Sequence, residues 1–117
     1  MRSKGKSGMS GSASLSTHVL DTRSGRPAPG LRVTLRRIDG ANAAPIAERA
    51  TDADGRIREL AKDLAPGTYR LTFDVGSYFA SARGIFETVS FDVVLADGHH
   101  HVPLLVSPFA CVCYRGS

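Results

Sequence analysis

Apolar and polar residues alternate with a period of two along most of this chain, and Gly, Pro, Asp and Asn break the alternation at short intervals. Such spacing puts successive side chains on opposite faces of an extended backbone, so each run predicts a half-buried strand and each break a turn. The first run is Leu15–Asp21, with Leu15, Thr17, Val19 and Asp21 on one face and Ser16, His18 and Leu20 on the other. TRSGRPAPG follows as a turn or irregular loop, and residues 31–38 then form a strand with Leu31, Val33 and Leu35 inward. IDGANAAP is a second turn region, Ile46–Thr51 a weak third strand, and Asp52–Gly55 a tight turn into a short edge strand, Arg56–Leu60.

Beyond Pro66 and Gly67 the run Thr68–Val75 alternates Tyr69, Leu71, Phe73 and Val75 with polar partners. Ser77–Arg83 has a Ser at its head and Gly84 just past its end, so an N-cap and a C′ glycine enclose a short predicted helix. Thr88–Leu95 is another strand, and Ala96–Gly98 a tight turn into the last two, His99–Val106 and Ala110–Arg115. These two are interrupted at Ser107 and Pro108, because proline has no N–H for a ladder and restricts the residue before it. Eight short strands, one short helix and no internal repeat argue an all-β, two-sheet antiparallel β-sandwich.

Length and composition fit this picture. The 117 residues suffice for one modest core, and 42% hydrophobic with 22% charged residues is a globular composition. Residues 1–14, MRSKGKSGMSGSAS, read as a flexible tail with no apolar leader, which leaves residues 15–117 as the domain. No apolar run reaches the ~20 residues of a membrane-spanning helix, so no membrane partner is expected. The net charge of +4 raises nucleic acid as a partner, but Arg2, Lys4 and Lys6 lie in the tail and residues 9–117 hold twelve basic against eleven acidic residues. Without a basic stripe interleaved with aromatics, nucleic-acid binding is not expected. Cys111 and Cys113 stand at i and i+2 on one face, poorly placed to bridge, and are expected as reduced packing thiols in a reducing compartment, the cytoplasm.

Candidate chemistry concentrates in the last strands. On an extended ribbon His99, His101, Pro103 and Leu105 share one face, Val112, Tyr114 and Gly116 share one face of the next, and His100 points the opposite way toward solvent. Alternate histidines on a strand suit zinc, but no third ligand stands at a telling spacing, so no metal is expected. The DADG turn lacks the first ligand of a calcium loop, where Ala50 stands, and has strands rather than helices on its flanks.

The terminal stretch HHHVPLLVSPFACVCYRGS resembles the C-terminal signature of the transthyretin-related 5-hydroxyisourate hydrolases, which runs close to HYHVPLLLSPYGYSTYRGS. The match covers His99, His101–Leu105, Ser107, Pro108 and the tetrapeptide from Tyr114 to Ser117. Leu15–Pro27 is similar to the family's opening motif, with a histidine before VLD, and Thr51–Arg56 to its T-x-x-DGR. The resemblance implies a transthyretin-like (prealbumin-like) sandwich assembled as a homotetramer whose channel holds the site. It further implies a cofactor-free hydrolase of purine (urate) catabolism that opens 5-hydroxyisourate to 2-oxo-4-hydroxy-4-carboxy-5-ureidoimidazoline. Matched residue by residue, it implies catalytic His18, Arg56 and His101, with Arg56, Tyr114 and Ser117 binding the substrate.

A histidine pair suits the reaction, because one neutral imidazole can take a proton from water while the other holds the water or supplies a proton. Which histidine is the base stays open at this point. Arg56 cannot act as a base, and its fixed donor fork suits a urea-like edge and an oxyanion. The chain departs from the signature at His100, Cys111, Val112 and Cys113, where Val112 removes a hydroxyl from the face of Tyr114. A non-enzymatic small-ligand carrier on the same sandwich is the alternative, and a plain adhesive or structural sandwich module is a third.

Overall fold

The computed structural model describes residues 12–39 and 44–116. Residues 1–11 and 40–43, part of the expected tail and of the second turn region, lie outside the described residues, as does Ser117. The chain folds as two sheets and one short helix. β1 (Ala13–Asp21) is the central strand of the first sheet. On one side it pairs antiparallel with β2 (Arg26–Pro27) and β5 (Arg56–Leu64). On the other it runs parallel to β8 (Gly98–His101) and β9 (Leu104–Ser107), and β10 (Ala110–Cys113) closes that edge against β9. The second sheet is antiparallel, in the order β4 (Pro45–Ala50), β3 (Arg32–Arg37), β6 (Gly67–Phe73) and β7 (Val89–Leu95).

The core lies between the sheets, and the period-two pattern accounts for it. Leu15, Val19, Val33, Leu35, Leu71, Phe73, Leu104 and Val106 have no exposed surface, and each side chain of this size stabilises the fold by about 1.5–3 kcal/mol on burial. The same alternation sends Ser14, Ser16, His18 and Leu20 to the outer face of β1, away from this core.

Several details depart from the sequence reading. The sandwich is antiparallel except along β1, because β8 and β9 return to it after a long excursion through the second sheet and arrive in parallel. The expected His99–Val106 strand is interrupted at Val102 and Pro103, since Pro103 has no N–H to continue the ladder. Val102 still donates its N–H to the Ser16 carbonyl at 3.0 Å, which keeps β8 and β9 aligned on β1. The strand from Arg56 continues to Leu64 rather than stopping at Leu60. Register shifts along β1–β5 make Ile57, Leu60 and Leu64 the buried set, a spacing that strict alternation does not follow.

The helix starts earlier than expected. It spans Val75–Phe79 and is capped by Asp74, whose side chain accepts the Ser77 N–H at 3.3 Å. It buries Val75, Gly76 and Phe79, continues as a short 3₁₀ turn over Ala80–Ala82, and breaks at Ala80, where φ is +51°. Gly84, read as the cap, serves a close approach instead: a Cβ there would sit 1.9 Å from the Pro108 carbonyl oxygen.

Candidate active site

The outer face of the first sheet carries the candidate residues, and the turn at Asp52–Gly55 sets their position. The Asp52 carboxylate accepts the N–H groups of Asp54 and Arg56, each at 2.9 Å, and the hydrogen bond from Arg56 is the main reason its pKa falls below the ordinary carboxylate range. Gly55 occupies the left-handed region at φ +74°, and its carbonyl accepts the Val19 N–H at 2.8 Å. The chain leaving the turn therefore enters β5 with Arg56 directly across the ladder from His18.

His18 donates from Nε2 to the Asp54 carbonyl at 3.0 Å. A carbonyl can only accept, so the neutral ring carries its proton on Nε2 and offers a lone pair at Nδ1. His101 arrives from the other side of β1, register partner of Ser16 in the parallel β1–β8 ladder. Its Nδ1 lies 2.8 Å from Ser16 Oγ, and the same hydroxyl lies 3.0 Å from His99 Nε2. Ser14 Oγ completes the row 2.7 Å from His99 Nδ1.

Gly116 folds back over this imidazole. Its N–H reaches the His101 carbonyl at 2.7 Å, and a Cβ at Gly116 would stand 2.6 Å from His101 Cδ2. Among the described residues no hydrogen bond engages His101 Nε2. Burial pushes the His101 pKa below the usual imidazole value, and the positive charge of Arg56 lowers it further, with smaller contributions from His18 and His99. The ring is therefore neutral near neutral pH.

Ser16, Thr17, Arg56, Arg58, His99 and His101 line a cleft of about 270 Å³. Among the described residues neither Arg56 nor Arg58 forms an ion pair, unlike Arg32, Arg37, Arg70 and Arg83, each of which has a carboxylate partner. Two guanidiniums, with the Asp52 carboxylate as a more distant counter-charge, beside a neutral, half-buried imidazole give the cleft donors for an anion or oxyanion and a base beside them. No group of three or more His, Cys, Asp or Glu side chains gathers as a metal ligand set among the described residues.

The structure brings Arg56 and His101 together and sets His18 at their border. It places Tyr114 elsewhere: β10 ends at Cys113, and Tyr114, 49% exposed, lines a second cleft of about 340 Å³ with Phe91, His100 and Arg115. His100 is half-buried rather than fully exposed, with Nε2 on the Ala96 carbonyl at 2.9 Å. Cys111 and Cys113 are free thiols packed against the core, while Val112 is exposed across from Leu105. Ser16, Arg58 and the role of His99 are what sequence reasoning passed over. The signal was in the alternation, since Ser16 stands at i−2 from His18 and Arg58 at i+2 from Arg56.

Comparison with known proteins agrees with this architecture. Residues 15–116 match a family model described as the HIUase/Transthyretin family. A Caulobacter vibrioides protein named 5-hydroxyisourate hydrolase is 48% identical over 112 residues, covering 88% of this chain and 97% of the relative. A solved Klebsiella pneumoniae 5-hydroxyisourate hydrolase superposes with a TM-score of 0.81 at 37% identity, covering 90% of this chain and 99% of that one. Sea bream transthyretin in complex with thyroxine superposes with a TM-score of 0.80 at 25% identity, covering 87% of this chain and 93% of that one.

Proposed function

The chain belongs to the HIUase/Transthyretin family, and on that basis we propose that it is a hydrolase of 5-hydroxyisourate, with the His101–Arg56 cleft as its active site. The observation that carries this reading is a neutral, half-buried His101 whose Nε2 is free among the described residues, beside Arg56 and Arg58, which form no ion pair among those residues. A channel that only carries an apolar ligand has no use for that set.

In the proposed reaction His101 Nε2 takes a proton from water, and the hydroxide adds to the amide-like ring carbonyl. The negative charge that develops on the carbonyl oxygen faces Arg56, with Arg58 adding to the positive field. The C–N bond then breaks, and the leaving ring nitrogen receives its proton from His101. His18, with Nε2 tied to Asp54, holds the water through Nδ1. Tyr114 and Ser117 bind substrate in the assembled protein, and the reaction takes no cofactor.

The same reading includes a homotetramer in the cytoplasm. Exposed Ile85, Phe109 and Val112, at 71%, 69% and 53%, support burial against further copies, and the two free thiols support a reducing compartment. No helix among the described residues is long and apolar enough to cross a membrane. Elution as a single chain mass in sizing would remove the tetramer. Urate and urate oxidase generate the unstable substrate in place, and the reading expects this protein to speed its ultraviolet decay beyond the spontaneous rate. A thyroxine-dependent rise in melting temperature without such acceleration would favour the carrier instead.

A further inference from the structure

The reaction needs only one base, yet the outer face of the first sheet presents an unbroken row of hydrogen-bonding groups behind it. Ser14 Oγ, His99, Ser16 Oγ and His101 are joined by contacts of 2.7, 3.0 and 2.8 Å. We propose that Ser16 is a positioning residue that couples His101 to His99, holding His101 with its proton on Nδ1 and letting His99 carry the proton taken from water. This rests on the hydrolase reading and adds to it a role for Ser16 and His99.

A hydroxyl has one proton to give, so between two imidazoles it donates to one ring and accepts from the other. Only two directions are open. In the first, His101 Nδ1–H donates to Ser16, Ser16 donates to His99 Nε2, and His99 Nδ1–H donates to Ser14, which leaves a lone pair on His101 Nε2. In the second, every donor reverses and His101 presents an N–H. Arg56 and Arg58 line the cleft that His101 faces, and a cationic cleft favours a lone pair over an N–H. The first direction is therefore the resting one, and it is the one a general base needs.

During the reaction the proton from water lands on His101 Nε2. The Nδ1 proton then passes to Ser16 as the hydroxyl proton of Ser16 passes to His99 Nε2. His101 ends neutral with its proton on Nε2, and His99 ends with a proton on each nitrogen. When the leaving ring nitrogen takes the Nε2 proton, the two transfers reverse and the row returns to its starting state with no net gain or loss.

The transfer has a physical advantage. His101 is half-buried and faces Arg56, Arg58, His18 and His99, so a full charge on it is unfavourable. His99 is exposed, and water solvates its charge better. Ser16, by contrast, is buried and has little reason to keep a hydroxyl there except for these two contacts.

The test pairs imidazole tautomers, read by nitrogen-15 NMR of the intact protein without substrate, with steady-state kinetics of Ser16→Ala and Ser16→Thr. At about pH 8, above the ordinary imidazole range, the unsubstituted protein should hold His101 as the Nδ1–H form. Ser16→Ala should shift it toward the Nε2–H form and lower kcat by about 100-fold with KM little changed, and Ser16→Thr should restore both. An Nε2–H form in the unsubstituted protein, or a kcat unchanged in Ser16→Ala, overturns the proposal. Absence of turnover alongside the expected tautomers would remove the hydrolase reading and leave the coupling in place.

Discussion

His18 and Arg56 are direct partners across the antiparallel β1–β5 ladder. The pairing exists because the Asp52–Gly55 turn delivers Arg56 to the strand already in register, with Gly55 bonded to Val19 and Asp52 bonded to Arg56. The geometry of the candidate site is a consequence of sheet register. A one-residue slip would turn Arg56 to the other face and put Ile57 in its place.

Arg56→Gln should therefore do two separable things. Losing the oxyanion donor should lower kcat/KM by about 100- to 1000-fold. Removing its charge should also raise the His101 pKa, because burial and Arg56 are the two largest causes of its depression. His101 must be neutral to act as base, so activity is lost as pH falls through its pKa, and the acid limb of kcat/KM should move to higher pH in the variant. A titration of the His101 ring resonances checks the direction directly.

Gly116→Ala tests the contact over the imidazole. A methyl 2.6 Å from His101 Cδ2 cannot be accommodated without moving the ring, and a displacement of about 1 Å at a reacting group costs roughly 100-fold in rate. Gly116 lies in the terminal segment beyond the last strand, so the melting temperature should change little while kcat falls.

Gly55→Ala should act on stability. The residue combines φ +74° with a Cβ position 2.6 Å from the Val19 carbonyl oxygen, and strain of this kind costs about 1–3 kcal/mol. A drop in chemical-denaturation midpoint with the slope unchanged is the expected outcome.

Asp52→Asn bears on acid stability. The folded protein holds the Asp52 pKa below its ordinary value, so the contribution is present above the unfolded carboxylate pKa and is lost as pH falls through the folded one. The variant should show a flatter decline in melting temperature on the acid side than the unsubstituted protein.

Much of this was legible in the chain because the core obeys alternation. Leu31, Val33 and Leu35, on the predicted inner face, are buried, and the predicted division of the first strand holds, with Leu15 and Val19 in the core and Ser16 and His18 on the opposite face. What alternation does not encode is what happens where backbone geometry intervenes. Pro103 split a strand, bulges along β1–β5 carried β5 on to Leu64, and Asp74 rather than Ser77 capped the helix because its carboxylate reaches the Ser77 N–H. Tyr114 was assigned a face by extending β10, but the strand ends one residue before it. The row through Ser14, Ser16, His99 and His101 depends on the parallel β1–β8 register, which pairs positions 85 apart and leaves no local trace.

The most direct test of the account is the decay of 5-hydroxyisourate, generated in place from urate by urate oxidase, followed by ultraviolet absorbance with the unsubstituted protein and with His101→Asn. The account predicts clear acceleration over the spontaneous rate by the former and a loss of at least about 100-fold in the latter, with the fold retained by circular dichroism. Equal acceleration by both proteins, or none by the unsubstituted protein, would contradict it.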